Sequence, residues 1–373
     1  MSDHAFLSPS SSHIWLKCTP SARFASQYPD EGSVYAEEGT EAHALAEHKL
    51  KSALGLPSDD PRPGMKYLTS EMEECTDDYV TFVLENAAKM TGADISIEQK
   101  VSLEKWVPGC FGHADCILAG VGELHVIDLK YGTGVPVNAE MNPQFLMYAL
   151  GALENMYFLF DIRTVTVTAF QPRLSNISSF SISKDELLSW AEGTLKPGAA
   201  LAWEGDGTYA AGEHCRFCRA KAVCRTRAER NLELARYDFA PPAELTNLEI
   251  AAVLERADEL AAWAKDVREH ALAKAVSGEK FDGWKLVAGR SVRKFSDEAK
   301  AADAALAAGY DPYEKSLMGI TALEKLMGRK KFGEVMAGLV VKPKGKPTLV
   351  PETDKRHAVD DAADDFNDTQ EKK

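Results

Sequence analysis

The chain has 373 residues, 45% of them hydrophobic and 27% charged, with a formal net charge of −14. Two domains with a large buried core fit that length, and the acidic balance argues against a protein that coats nucleic acid generally, because such affinity comes from neutralised phosphates. No apolar run is long enough to span a bilayer, and Met1–Phe6 lacks the basic region and apolar core of an export signal, so a cytoplasmic protein without a membrane segment is expected.

In chain order, Leu7-Ser8-Pro9-Ser10-Ser11-Ser12 offers several helix N-caps, and Ile14, Trp15, Ala22 and Phe24 predict a helix over Ser12–Tyr28 that carries Cys18. A second helix is predicted over Glu41–Leu54 and stopped by Gly55, with His43 and Glu47 on one face. A third covers Glu71–Met90. The spacing then changes to alternation. Ile95–Val101, Phe111–Leu118 and Glu123–Leu129 predict strands, the last two joined by Ala119-Gly120-Val121-Gly122 as a hairpin turn. A helix from Asn142 to about Phe158 and strands over Thr164–Phe170 and Phe180–Ile182 complete a mixed α/β core. Ser183 is a candidate N-cap for a mostly helical stretch to Trp203, interrupted near Pro197-Gly198 and ended by Gly205-Asp206-Gly207.

Beyond the core the segment Arg216–Arg236 is basic, and Leu245–Val276 predicts a long helix. Further basic segments follow at Arg290–Lys294, Arg329–Lys331 and Lys342–Lys346. The expected domains are residues 1–236, residues 242–350 as a mainly helical accessory region, and residues 352–373 as a disordered acidic tail. The accessory region is expected to guide nucleic acid toward the core or dock a partner, or to serve as a helical support packed on the core.

Asp115 and Asp128 fall near the ends of neighbouring strands, where paired carboxylates can share magnesium or manganese. Such an ion polarises a phosphate and activates a water. Lys130 lies two residues past Asp128 and leaves the same face, where it can orient that water or neutralise developing charge. His43 is a candidate nitrogen ligand, with Glu98 as a supporting acid and Glu47 steadying the imidazole. Gln144 and Tyr148 share a helix face and offer an amide and a phenol to the same region.

Seven cysteines in a chain without an export signal point to ligation rather than disulfides. Cys75, Cys110 and Cys116 have no ligand-like spacing and read as inert buried thiols. Cys18 with Cys215, Cys218 and Cys224 forms a split set of four. Four thiolates suffice for an iron–sulfur cluster and equally suit structural zinc, and spacing alone leaves the two open.

Taken in order, Gly39-Thr40-Glu41-Ala42-His43, Gly112-His113-Ala114-Asp115, Asp128-Leu129-Lys130 and Gln144-Phe145-Leu146-Met147-Tyr148 resemble the motifs of the RecB-like branch of the PD-(D/E)xK nucleases. The cysteine layout is similar to that of its iron–sulfur subgroup, which includes the CRISPR-associated RecB-like exonucleases and the AddB nuclease domain. Leu7–Ser12, Gly289-Arg290-Ser291 and Lys346–Pro351 further resemble a group of phage and prophage proteins.

The nuclease resemblance covers about residues 8–230. It implies an α/β fold with a restriction-endonuclease-like core, a central mixed sheet flanked by helices. It implies His43, Asp115, Asp128 and the Leu129 carbonyl as ligands of magnesium or manganese, Lys130 as the catalytic lysine, and Gln144 and Tyr148 as an accessory pair. It implies a [4Fe-4S] cluster on Cys18, Cys215, Cys218 and Cys224. The activity it implies is DNA hydrolysis by an exonuclease in phage replication or recombination, within a bacterial cytoplasm. Partners would be DNA and phage recombination or single-strand-binding proteins. The alternatives are a structure-specific DNA endonuclease and a catalytically idle DNA-binding or scaffolding protein with the same fold.

Overall fold

The structure is a computed structural model and describes residues 5–29, 32, 34–156, 160–233, 245–288, 295–313, 317–341 and 350. The helix predicted over Ser12–Tyr28 is instead two short ones, α1 (Ser12–Trp15) and α2 (Ser21–Ala25). Pro20 supplies no backbone donor and disfavours helical geometry at Thr19. The chain therefore turns at Cys18, whose carbonyl accepts from the Ser21 amide. Next, α3 (Val34–Ala53) begins well before the predicted Glu41 and runs through Gly39, a mid-helix glycine costing about 1 kcal/mol that neighbouring turns absorb. The helix α4 (Ser70–Lys89) is capped by Thr69, whose hydroxyl accepts from the Met72 amide.

The sheet follows as β1 (Asp94–Ser102), β2 (Phe111–Gly120), β3 (Glu123–Leu129), β4 (Thr164–Gln171) and β5 (Asn176–Ser183), in spatial order 1-2-3-4-5. Neighbours are antiparallel except β3 and β4, which are parallel. A parallel pair needs a crossover, and α5 (Pro143–Met156) provides it. Gly151 permits close packing there, since a Cβ on it would come within 2.6 Å of Val101 Cβ.

Ser183 and Glu186 form a capping box at α6 (Lys184–Trp190). A widened turn over Ala191–Leu195 joins it to α7 (Lys196–Glu204), which Gly205 ends at φ 80°. The irregularity falls one turn before Pro197, because a proline ring clashes with the carbonyl four residues back, here Gly193.

The protein is thus mixed α/β, with helices on both faces of a five-stranded sheet. One face carries Leu124, Val126, Val165, Val167 and Ala169 against Phe145, Leu146 and Leu150 of α5. The other carries Cys116, Leu118, Ile127 and Leu129 against Ala46 and Leu50 of α3 and Tyr79 and Val83 of α4. Cys75, Cys110 and Cys116 are buried. Burial pushes the Cys110 thiol up to about 12 and, with nearby Glu71 and Asp78, the Cys75 thiol to about 11, so both stay neutral.

His125 is a buried polar group in this second layer that sequence reasoning did not single out. Its Nε2 lies 2.8 Å from Thr168 Oγ1, which lies 2.8 Å from Ser179 Oγ, a line of polar side chains across β3, β4 and β5. Burial drives the imidazole pKa down to about 4. The unfolded chain therefore takes up this proton before the folded one, so the contribution is full above about pH 6.5 and is lost as pH falls toward 4. We expect about 3 kcal/mol of acid destabilisation from this group. Urea melts across that window should show a shallower acid limb for His125→Gln, and an unchanged limb would remove the assignment.

The remaining helices are α8 (Arg225–Leu232), α9 (Asn247–Val276), α10 (Glu298–Ala307), α11 (Ile320–Met327) and α12 (Arg329–Val335), so the C-terminal part is helical. The chain divides into residues 1–279 and 280–373, with α9 in the first unit. Arg290–Lys294, Lys342–Lys346 and the expected tail over residues 352–373 lie outside the described residues, as do residues 157–159 at the expected end of α5. Among the described helices, none is long and apolar enough to cross a membrane.

Candidate functional site

The centre forms where α3 crosses the β1–β3 end of the sheet. His43 Nδ1 lies 3.2 Å from Asp115 Oδ1, and Asp115 Oδ2 accepts the Leu129 amide at 2.7 Å. Glu98 joins them: ligand atoms of His43, Glu98 and Asp115 all lie within 4.8 Å of one another. Leu129, Tyr79, Glu47 and Leu50 line the same small cavity. Glu47 does not steady His43 but pairs with Lys51 at 2.6 Å, because Lys51 sits one helical turn further along α3.

Glu98 has φ 48° inside a strand, a conformation costing about 1–3 kcal/mol for a residue with a Cβ. The pairs Ile97–Cys116 and Gln99–Ala114 on either side hold the strand in register around it. Such strain, imposed by the surrounding ladder, aims the carboxyl at the His43–Asp115 pair. Sequence reasoning gave Glu98 only a supporting role, since alternation shows a residue's face but not its backbone twist.

Electrostatics mark the group as a unit. Burial works against the charged form of His43, but the adjacent Asp115 carboxylate, its hydrogen bond and the more distant Asp128 raise the imidazole to about 9. Burial would raise Asp115, yet His43, Lys130 and the Leu129 amide hold it below the ordinary carboxylate range. Burial and the neighbouring Asp115 charge push Glu98 up to about 7. Three mutually shifted groups in one cavity are the pattern expected where a divalent ion would replace a proton.

Asp128 stands beside this trio rather than in it. It is 3% exposed, and its Oδ2 faces the Lys130 ammonium at 2.9 Å without hydrogen-bond alignment. Burial lifts its carboxyl to about 6 despite Lys130. The lysine also donates to Gln144 Oε1 at 3.2 Å, and Gln144 Nε2 donates to the Tyr148 hydroxyl at 3.3 Å. Asp128, Lys130, Gln144 and Tyr148 therefore form one polar chain from β3 to α5. Gly112 lets Tyr148 reach this position, because a Cβ there would fall 2.7 Å from the phenol ring.

Cys18, Cys215, Cys218 and Cys224 line a second cavity, together with His214, Lys221 and Arg227. Their approach is built by packing. Thr19 Oγ1 donates to the Asp206 carbonyl at 2.6 Å, Arg23 Nε to the Trp203 carbonyl at 2.6 Å, and Phe24 packs edge-on against Tyr209. Backbone amides point at the sulfurs: Ala210 N lies 3.5 Å from Cys18 Sγ and Gly212 N 3.4 Å from Cys215 Sγ. Amide donors of this kind favour thiolate sulfur.

An ion-pair ladder braces this segment against α9. The buried Arg227 meets Asp266 at 2.7 Å, Lys221 meets Asp266 at 3.1 Å, and Arg256 meets Glu233 at 3.0 Å. Arg230 adds a longer contact to Glu259 at 3.8 Å. His214 Nε2 lies 2.9 Å from the Ala210 carbonyl and 3.9 Å from Cys215 Sγ. Neither His214 nor Asp266 was singled out from sequence. The adjacency of His214 to Cys215 was the available signal for the first; Asp266 carried none.

The crystal structure of SSO0001 is similar over 58% of this chain and 96% of that one, at 16% sequence identity and a TM-score of 0.25. The family described as "Protein of unknown function (DUF2800)" matches residues 4–357, nearly the whole chain, and the protein belongs to that family.

Proposed function

We propose that the chain is a metal-dependent DNA nuclease of the RecB-like PD-(D/E)xK type, acting as an exonuclease. The observation that carries this reading is the meeting of His43, Glu98 and Asp115 in one cavity, beside the Asp128–Lys130–Gln144–Tyr148 chain. The donor set fits a hard divalent ion: carboxylate oxygens of Glu98 and Asp115 with one imidazole. His43, Glu98 and Asp115 would hold magnesium or manganese, with Asp128 and the Leu129 segment alongside. The ion supplies polarisation of the scissile phosphate and a more acidic water.

The protein's own groups supply orientation and charge. Lys130, held by Asp128 and Gln144, presents an ammonium where negative charge develops on the phosphate. Tyr148 fixes the Gln144 amide so that its oxygen faces Lys130. Phage DNA replication or recombination as the setting rests on resemblance alone.

The cysteine cavity supports a [4Fe-4S] cluster in this reading. Four sulfurs lining one cavity, with amide donors at two of them, suit an anionic cluster.

The decisive experiment incubates the purified chain with end-labelled single- and double-stranded DNA plus magnesium, manganese or chelator. Cleavage with metal and none with chelator is expected, and metal-independent cleavage, or none in any condition, overturns the reading. Lys130→Ala should bind DNA as the parent does but cut it roughly 100-fold more slowly, as loss of a transition-state contact does. Parent-like cleavage by Lys130→Ala would remove this role for the lysine.

A further inference from the structure

The two sites are joined by a surface neither of them uses. Helix α1 packs both on α5, which carries Gln144 and Tyr148, and on the turn over Glu213–Phe217. Pro9, just before α1, lies against the same Gly112 position as Tyr148. On this bridge Phe217 is 55% exposed. Its ring meets His13 edge-on, with centroids 5.4 Å apart and planes at 80°. The Arg216 guanidinium lies 5.7 Å from the Phe217 centroid, and His13 is oriented by its Nδ1 contact to the Ser10 carbonyl at 3.0 Å.

The charge here is opposite to that of the whole chain, which is −14. Lys17, Arg216, Arg219 and Arg225 are exposed, and among the described residues none of them has a carboxylate within ion-pair distance, whereas Lys221, Arg227 and Arg230 close by are all paired. Lys130 donates to Gln144 of α5, the helix on which α1 packs. An exposed aromatic ring with an unpaired guanidinium beside it, on a bridge that reaches the helix holding Gln144 and Tyr148, has the elements of a single-strand binding track. Bases of a duplex are stacked on both faces and cannot reach such a ring, whereas an unpaired base can.

We propose that Phe217, flanked by Arg216 and His13, is a stacking platform for an unpaired base of a DNA strand whose backbone runs past Lys17 and Arg216 toward Lys130, making single-stranded DNA the preferred substrate. This inference rests on the nuclease reading for its direction, but its test does not require cleavage.

The test measures fluorescence anisotropy of an end-labelled oligothymidylate and of a blunt duplex of equal length. It uses the full chain in chelator, and again with Asp128→Asn in magnesium. Phe217→Ala should weaken single-strand binding about 5- to 100-fold, the range for losing one base–aromatic stack, and change duplex binding less than about two-fold. Phe217→Trp should restore it. Arg216→Gln should make the log-log salt dependence shallower by about 0.7, one phosphate contact on a single strand. Unchanged single-strand affinity in Phe217→Ala, equal losses for duplex and single strand, failure of tryptophan to rescue, or no single-strand binding by the parent each overturns the platform. The last outcome leaves Phe217 as a contact for another protein. Phe217-dependent binding by a chain that never cleaves DNA would keep the platform and remove the nuclease reading.

Discussion

Asp128→Asn is expected to reduce metal-dependent DNA cleavage by on the order of 1000-fold or more, a loss of several kcal/mol of transition-state stabilisation, without lowering the melting temperature at pH 7. The second half of that expectation follows from burial. The carboxyl is 3% exposed and lifted to about 6, and one oxygen lacks an aligned hydrogen bond. A carboxyl whose pKa is raised on folding binds more protons folded than unfolded between about pH 4 and 6. Its ionised form therefore costs stability increasingly as pH rises through that window and fully above it. The amide has the same shape without that charge, so the fold should be as stable or more so while the site loses function. Cleavage assays paired with thermal melts check both halves. Full activity in a folded Asp128→Asn protein would sink the assignment, and a collapse of the melt would make Asp128 a structural residue instead.

Cys218→Ser should abolish the brown colour, the iron and the acid-labile sulfide of anaerobically purified protein, and lower the melting temperature of the first unit by about 10 °C or more. A ligated centre on Cys18 and Cys215 cross-links positions bounding a loop of about 200 residues, which in the chain-entropy limit stabilises by about 5 kcal/mol. At about 2–4 °C per kcal/mol for a unit of this size, that loss is easily measured. The variant should nevertheless fold, because Thr19, Arg23 and Phe24 hold the two stretches together through Asp206, Trp203 and Tyr209 without any metal. Metal analysis and calorimetry decide the matter. Colourless parent protein with one bound zinc would replace the cluster by zinc, and a parent-like melt in Cys218→Ser would remove the cross-link.

Much of the core was legible from local pattern. The alternation of Leu124 and Val126 with Ile127 and Leu129 marks β3 over Glu123–Leu129 because a strand exposes its two faces in turn. The four-residue spacing of Gln144 and Tyr148 placed them on one helix face, where they do hydrogen-bond. Thr246 and Glu249 form the capping box that starts α9 close to the expected Leu245. The break at Pro20 was also written in the sequence, but the apolar spacing across it suggested one helix where backbone sterics require two.

Local pattern therefore accounts for the strands β1 to β4, the crossover helix α5 and the shared face of Gln144 and Tyr148, since propensity and periodicity act over a few residues. Which groups meet is set instead by packing between distant segments. Glu98 stands with His43 and Asp115 because the ladder on both sides forces its backbone to φ 48°. Cys18 reaches a backbone amide 192 positions away because α2 is bonded to the end of α7 and the loop after it. Asp266 neutralises Arg227 because α9 lies along α8. Each of these contacts depends on packing between segments far apart in the chain, and that packing free energy is spread over the whole core, so no short stretch of sequence encodes it.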